Sequence, residues 1–209
     1  MDRLTLLEGL AKVHHTDKLE HGYLEHYASV LPKQCSSLLE IGAAKGYSLL
    51  MWNDFYGMDN VDIHCLDLFI NPEFVNARWC RNHNFVPHTG DQSDLRVLSR
   101  IHDQFNVIID DGSHNSYDQL LSFKHLFLNN LLSGGLYVIE DCHCCKDPFY
   151  WNKGITSFEE TALHLIKEFI VTHRITHWLF NEGEAEVFES VIDKAEVLCN
   201  DKMICIWKK

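Results

Sequence analysis

Phe105-Asn106-Val107-Ile108-Ile109-Asp110-Asp111-Gly112-Ser113-His114 is an apolar run that stops at two carboxylates. About one helix later, Gly134-Gly135-Leu136-Tyr137-Val138-Ile139-Glu140-Asp141 repeats the pattern. Short, unbroken apolar runs rich in β-branched residues read as strands buried on both faces, the habit of a parallel sheet covered by helices. As neighbouring parallel strands, the two would bring their acidic ends together at one sheet edge, where open α/β sheets bind ligands. Asp111 and Asp141 are then placed to hold a hard cation, with His114 beside them as a base. Adjacent carboxylates at a buried strand end repel each other. A cation, a hydrogen-bond donor or a protonated neighbour has to compensate. The same residues also fit a helix-capping loop with a solvated acidic end.

Reading outward, Ser37–Ile41 is an earlier buried strand, followed by a tight turn at 42–46 and a helix over 47–55. Asp62–Asp67 is a second strand, 79–84 closes a helix, and Phe85–Thr89 is a third strand with its loop. A helix is expected over 94–101 and a long one over 117–132, ending at Gly134-Gly135. Ser157 reads as the cap of a helix reaching about His173, with Glu160 at the capping-box position. Residues 187–209 read as two strands joined at Asn200-Asp201. Residues 1–31 read as a helical segment broken at Thr16-Asp17-Lys18 and stopped before Pro32. Strands alternating with helices predict an α/β fold, a doubly wound Rossmann-like sheet, mostly parallel with an antiparallel C-terminal hairpin. We expect a single domain over 1–209, with 1–31 as a helical lid and 36–209 as the sheet core. A terminal hairpin is unusual for a nicotinamide-binding Rossmann domain. It resembles the ending of class I S-adenosylmethionine (SAM) methyltransferases.

Composition narrows the partners. A formal net charge of -12 over 209 residues argues against duplex nucleic acid, which draws on clustered Lys and Arg. No stretch approaches the roughly 20 apolar residues that span a bilayer, and residues 2–8 read as helix instead of an apolar leader. The eight cysteines fall mostly in strand-like runs and read as reduced thiols of a cytoplasmic protein. Most of the 14 histidines read as surface or partly buried residues without chemistry.

Three further motifs carry chemistry. Glu40-Ile41-Gly42-Ala43-Ala44-Lys45-Gly46 has the form E-x-G-x-x-x-G, whose glycines let backbone approach a nucleotide-like ligand at a helix start. Asp67 stands 25 residues after Gly42 at a strand end, near the spacing of an acid that accepts from ribose hydroxyls. In Gly90-Asp91-Gln92-Ser93, Asp91 is placed to accept from an exocyclic amine, or Asp91 or Ser93 to cap the next helix. Cys142-His143-Cys144-Cys145 has zinc-ligand residue types but no second close pair, so a plain loop is favoured. Tyr150 and Trp151 fit either a substrate pocket or packing. The polar stretch 14–27 reads as a solvated helical hairpin or as a lid over the cofactor.

Together, Thr16-Asp17-Lys18, His21-Gly22-Tyr23, Tyr27, Leu39-Glu40-Ile41-Gly42, Met51-Trp52, Asp67, Gly90-Asp91-Gln92-Ser93, Asp110-Asp111-Gly112-Ser113-His114 and Ile139-Glu140-Asp141 form an ordered set. That set resembles the SAM-dependent O-methyltransferases of macrolide sugars and the related cephalosporin-hydroxylase-like proteins. The resemblance implies a class I methyltransferase that uses SAM and Mg²⁺ to methylate a small-molecule hydroxyl. It implies Asp111 and Asp141 as metal ligands and His114 as the base, Asp111 counting with His114 as catalytic. It places Gly42, Asp67, Asp91 and Gln92 at the SAM site, and we add Glu40, Ala44, Gly46, Leu68, Asp110, Lys18 and Tyr23 to the cofactor-binding set. The macrolide enzymes carry a substantial N-terminal region that this chain lacks, and His15 stands where glycine is common. The acceptor therefore stays open, as does a homo-oligomer that closes the pocket. The alternative is a non-catalytic SAM-binding or regulatory protein of the same fold, against which the full set of acid, acid and histidine argues. A hydrolase or nicotinamide enzyme is disfavoured by the hairpin and the glycine turn.

Overall fold

A computed structural model describes residues 2–57, 60–70 and 85–209; the helix end expected at 79–84 lies outside them. Five strands run parallel: β1 (Ser37–Ile41), β2 (Asp62–Asp67), β3 (Phe85–Thr89), β4 (Phe105–Asp110) and β5 (Leu131–Ile139). The hairpin of β6 (Ile192–Leu198) and β7 (Met203–Lys208) completes a seven-stranded sheet in the order β3-β2-β1-β4-β5-β7-β6. β7 slots between β5 and β6, antiparallel to both. Cys199, Asn200 and Asp201 all take left-handed backbone, with φ of 53, 54 and 69°. The turn expected at Asn200-Asp201 is therefore present. Strand order reverses between β1 and β4, which opens a crevice at their C-terminal ends.

Alternate residues of each strand enter opposite cores. Leu38, Ile63, Cys65, Val107, Ile109 and Val138 pack under α1 (Arg3–His14), α2 (Leu24–Val30) and α3 (Tyr47–Tyr56). Leu39, Ile41, Ile108, Tyr137 and Ile139 pack on the other face under α4 (Leu95–Leu98), α5 (Ser116–Asn129), α6 (Ala162–Thr172) and α7 (Glu182–Val191). Each such fully buried aliphatic side chain contributes about 1.5–3 kcal/mol relative to exposure. Among the described residues no helix is long and apolar enough to cross a membrane. The seven described cysteines are not in disulfides.

Four boundaries differ from expectation. α5 stops at Asn130, not at Gly134-Gly135, because β5 already begins at Leu131. The glycines instead sit in a bulge: Phe105 pairs with Leu131 but Val107 pairs with Leu136, and Gly134 takes φ +75°. α4 is a single turn, because the buried Asn130 amide takes hold of the chain again at Ile101 O (2.8 Å) and Asp103 O (2.9 Å). α6 is capped by Thr161, which accepts from His164 N, while Glu160 turns back to Thr156 N at 2.7 Å. The start of the expected terminal strand pair is helix α7, opened by a capping box of Asn181 and Glu184.

Candidate active site

β4 and β5 pair in parallel with Asp110 opposite Ile139, so the two acidic ends do meet. Just past them, Asp111, His114 and Asp141 each offer a ligand atom within 4.8 Å of the others. His114 Nε2 stands 3.6 Å from Asp141 Oδ2. His114 and Asp141 both adopt left-handed backbone, with φ of 58 and 53°. That conformation costs a non-glycine residue about 1–2 kcal/mol and turns each side chain off its strand end.

The charge of the acidic ends is compensated from the N-terminal segment. Lys18, 1% exposed, reaches Asp111 Oδ2 at 2.8 Å, Glu140 Oε1 at 2.6 Å and Glu40 Oε1 at 3.1 Å. Burial alone would lower the Lys18 pKa, but the charges of Asp111, Glu140 and Glu40 outweigh it and hold the ammonium well above its ordinary value. Burial, then the charge of Asp111, pushes Glu140 well above the usual carboxylate range despite Lys18 and a hydrogen bond donated by the Tyr27 hydroxyl. Burial also raises Glu40, against Lys18 and the donors Ser48 Oγ (2.9 Å) and Trp52 Nε1 (3.1 Å). Asp110 is fully buried, which raises its pKa to about 6 against bonds donated by Ser122 and Gln92. Tyr23 donates to Asp141 Oδ1 at 2.6 Å, and burial keeps its phenol protonated.

Five residues of the expected cofactor-binding set lie off the two neighbouring cavities. Lys18, Glu40 and Asp110 stand behind the site wall and line neither of the two neighbouring cavities, because each is consumed by buried partners. Tyr23 is likewise fully buried and holds Asp141 in place. Gly46 shapes the turn, with φ +78° and its N–H on Ala43 O, without lining either cavity.

The remaining residues surround the cavities. A slot of about 150 Å³ lies between Ile41, Leu66 and Leu68, bounded by Gly42, Asp67, Asp91, Gln92, Gly112 and Ser113. A larger space of about 500 Å³ shares Gly42, Asp67 and Gly112 with it and reaches Asp111, His114 and Asp141. Its outer wall takes in His15, Thr16, Asp17 and His21, from the stretch whose sequence also fits a lid, together with Lys45 and Tyr47, which were not singled out as site residues. Lys45 lies inside the glycine turn and Tyr47 opens α3, so their only sequence signal is adjacency to the turn's glycines.

Gly42 cannot carry a side chain. Its φ is +90°, and a Cβ would stand 2.0 Å from Asp111 O. Asp67 Oδ2 accepts from the turn's own Ala43 N (2.8 Å) and Ala44 N (3.0 Å), and Oδ1 from Phe69 N (3.1 Å). A carboxylate has about four acceptor sites, so Asp67 secures the turn and retains capacity for a hydroxyl. Gln92 ties two strand ends: Oε1 accepts from Ser113 N at 2.8 Å and Nε2 donates to Asp110 Oδ1 at 3.1 Å. Asp91 accepts from the Ser93 hydroxyl (2.7 Å), which lowers its pKa. The cap of α4 is Asp94, not Asp91 or Ser93. Tyr150 and Trp151 line neither cavity; Trp151 Nε1 donates to Cys145 O at 2.8 Å and packs on the core.

The donor set suits a hard divalent ion. Lys18 and Tyr23 each hold one oxygen of a carboxylate, leaving Asp111 Oδ1 and Asp141 Oδ2 without a hydrogen-bond donor among the described residues. Two carboxylate oxygens beside an open cavity match Mg²⁺, which takes few protein ligands and keeps several waters. His114 Nδ1 is buried without a partner.

No protein-family model matches the chain. In sequence it is similar to 8-demethyl-8-(2-methoxy-alpha-L-rhamnosyl)-tetracenomycin-C 3'-O-methyltransferase of Streptomyces olivaceus. The two are 29% identical over 198 residues, covering 86% of this chain and 48% of that enzyme. It is also similar to 8-demethyl-8-alpha-L-rhamnosyl tetracenomycin-C 2'-O-methyltransferase of the same organism, 33% identical over 162 residues, 69% of this chain and 39% of that one. In fold it is similar to the MycE methyltransferase of the mycinamycin pathway, solved in complex with Mg, SAH and mycinamycin VI. That likeness has a TM-score of 0.77 at 26% identity and covers 97% of this chain and 53% of the other. The chain thus spans less than half the length of the two curated relatives.

Proposed function

This chain belongs to the family of SAM-dependent sugar O-methyltransferases and has their class I fold, and we propose that it methylates a hydroxyl. The acceptor is a small molecule, a sugar of a natural product in the first instance. The observation that carries the reading is the meeting of Asp111, His114 and Asp141 at the wall of the larger cavity, next to the slot beside Asp67.

The slot takes the adenosine of SAM. Ile41, Leu66 and Leu68 supply apolar walls, Asp67 accepts from the ribose, and Asp91 and Gln92 lie at the base end. Side-chain-free Gly42 lets the ligand approach the backbone, and the larger cavity receives the methionine end and the acceptor. SAM would supply an electrophilic methyl group that the acceptor oxygen attacks in line, the O–C bond forming as the S–C bond breaks and S-adenosylhomocysteine leaves. Mg²⁺ would be held by Asp111 and Asp141 and would lower the pKa of a hydroxyl placed near it. His114, which lines that cavity, receives the hydroxyl proton at a ring nitrogen. Lys18 and Tyr23 keep the two carboxylates fixed, so little reorganisation accompanies the reaction.

We read the chain as acting as one domain, with 1–31 covering the site, in the cytoplasm, without nucleic-acid or membrane partners. A second copy is a candidate to complete the acceptor wall.

The test is SAH production from SAM with a panel of sugar-bearing acceptors. Asp111→Asn and His114→Ala are expected to abolish turnover while leaving SAM affinity within a few-fold. Near-normal rates in both variants would show the site to be misassigned. SAM binding with no turnover on any acceptor and no Mg²⁺ affinity would favour the regulatory alternative.

A further inference from the structure

We propose that His64, His88 and Asp103 form a second metal site, for a zinc-class divalent cation, on the sheet away from its ligand edge. His64 lies in β2 and His88 in the adjacent β3, and the parallel register puts His64 opposite Val86. His88 is therefore two residues along on the same face. The rings stack with centroids 5.4 Å apart, and His64 packs edge-on against Phe105. His64 Nδ1 stands 3.1 Å from His88 Nε2 and 3.8 Å from Asp103 Oδ2, and one ligand atom from each of the three lies within 4.8 Å of the others.

These separations fit shared coordination. Two ligand atoms, each about 2.0–2.1 Å from a tetrahedral ion, lie roughly 3.3 Å apart, inside the observed range. The ligands are also prepared. Burial lowers the pKa of both histidines, so the rings stay neutral, the form that binds metal. The loop bearing Asp103 is pinned by the buried Asn130 amide, which donates to Ile101 O and Asp103 O. Without a metal, one imidazole N–H must point at the other ring's lone pair. A tautomer change presents both lone pairs to an ion and releases no proton. Two imidazoles and one carboxylate leave a position for water and select zinc-class ions over Mg²⁺. His64 is buried, His88 is half-buried and Asp103 is exposed, which gives the ion a way in.

The site lies three residues before Asp67 along β2, about 10 Å from the crevice at strand rise. It would fasten β3, and so the loop carrying Gly90, Asp91 and Gln92, to β2. Bound metal is therefore expected to raise the melting temperature.

The experiment uses the full chain stripped with chelator and titrated with Co²⁺ and Zn²⁺, with Asp111→Asn/Asp141→Asn as the background that removes the catalytic-edge acids. One Co²⁺ with a visible d–d band, displaced by Zn²⁺, is expected in that background. His88→Ala and Asp103→Asn, added singly, should each weaken it about tenfold or more and remove the Zn²⁺-dependent thermal shift. Both positions reach the surface, so their own melting curves verify folding. Unchanged affinity in either variant, or no binding in the background at millimolar metal, overturns the assignment. Neither result bears on methyl transfer.

Discussion

Replacing Lys18 with Met leaves Glu40, Asp111 and Glu140 without the cation they share. Breaking a buried ion pair by removing one partner costs about 3–5 kcal/mol. Part of that cost is avoidable, because Glu140 already favours its protonated form and can take up a proton in the variant. The loss therefore depends on pH. In the variant the folded-state pKa of Glu140 rises further above its unfolded value. Stability is then retained at low pH and lost as pH rises through the folded pKa. We expect a deficit of about 3–5 kcal/mol near pH 8, a melting-temperature drop of roughly 6–20 °C, and a clearly smaller deficit near pH 5. Adding Glu140→Gln removes one uncompensated charge and should recover about half of the deficit near pH 8. The assay is urea unfolding with thermal melts at both pH values. A deficit below about 1 kcal/mol, equal at both values and unaffected by Glu140→Gln, would refute charge compensation by Lys18.

Gly42→Ala puts a methyl group 2.0 Å from Asp111 O at a φ of +90° and should destabilise the chain by about 2 kcal/mol or more while abolishing SAM binding, read by calorimetry. Asp110, raised from 3.8 to about 6, gives up about 3 kcal/mol of folding stability as pH rises through that window, since the native state then binds more protons than the unfolded chain. Asp110→Asn should flatten that part of the stability–pH curve; an unchanged slope would show that another group titrates there. Asp67→Ala frees the amides of Ala43 and Ala44 and should weaken SAM binding about tenfold or more at a stability loss of about 1–2 kcal/mol, separable by calorimetry and thermal melts.

The sheet was legible because its strands are short apolar runs that end in charge, a pattern that survives without tertiary information. Helix α7 was not. Its buried face is little more than Ala185 and Phe188, and Val187 is nearly half exposed, so the apolar residues suggested a strand. The capping box of Asn181 and Glu184 was the available signal. Gly134-Gly135 looked like a helix stop, but the stop is set by the pairing of Leu131 with Phe105, a contact 26 positions apart. In the site, the need for compensation at Asp110-Asp111 was readable from burial and like charge. Its source was partly hidden, because Lys18 arrives from a segment 93 residues away. His64, His88 and Asp103 gave no motif at all, since parallel pairing and a loop bring them together.

Calorimetric titration can detect both a SAM slot and an Mg²⁺ site made by Asp111 and Asp141. SAM should bind the wild-type chain, and Mg²⁺ should bind it with an affinity that Asp111→Asn/Asp141→Asn removes while SAM binding persists. No detectable SAM binding at millimolar ligand, or Mg²⁺ affinity unchanged in the double variant, would contradict the account.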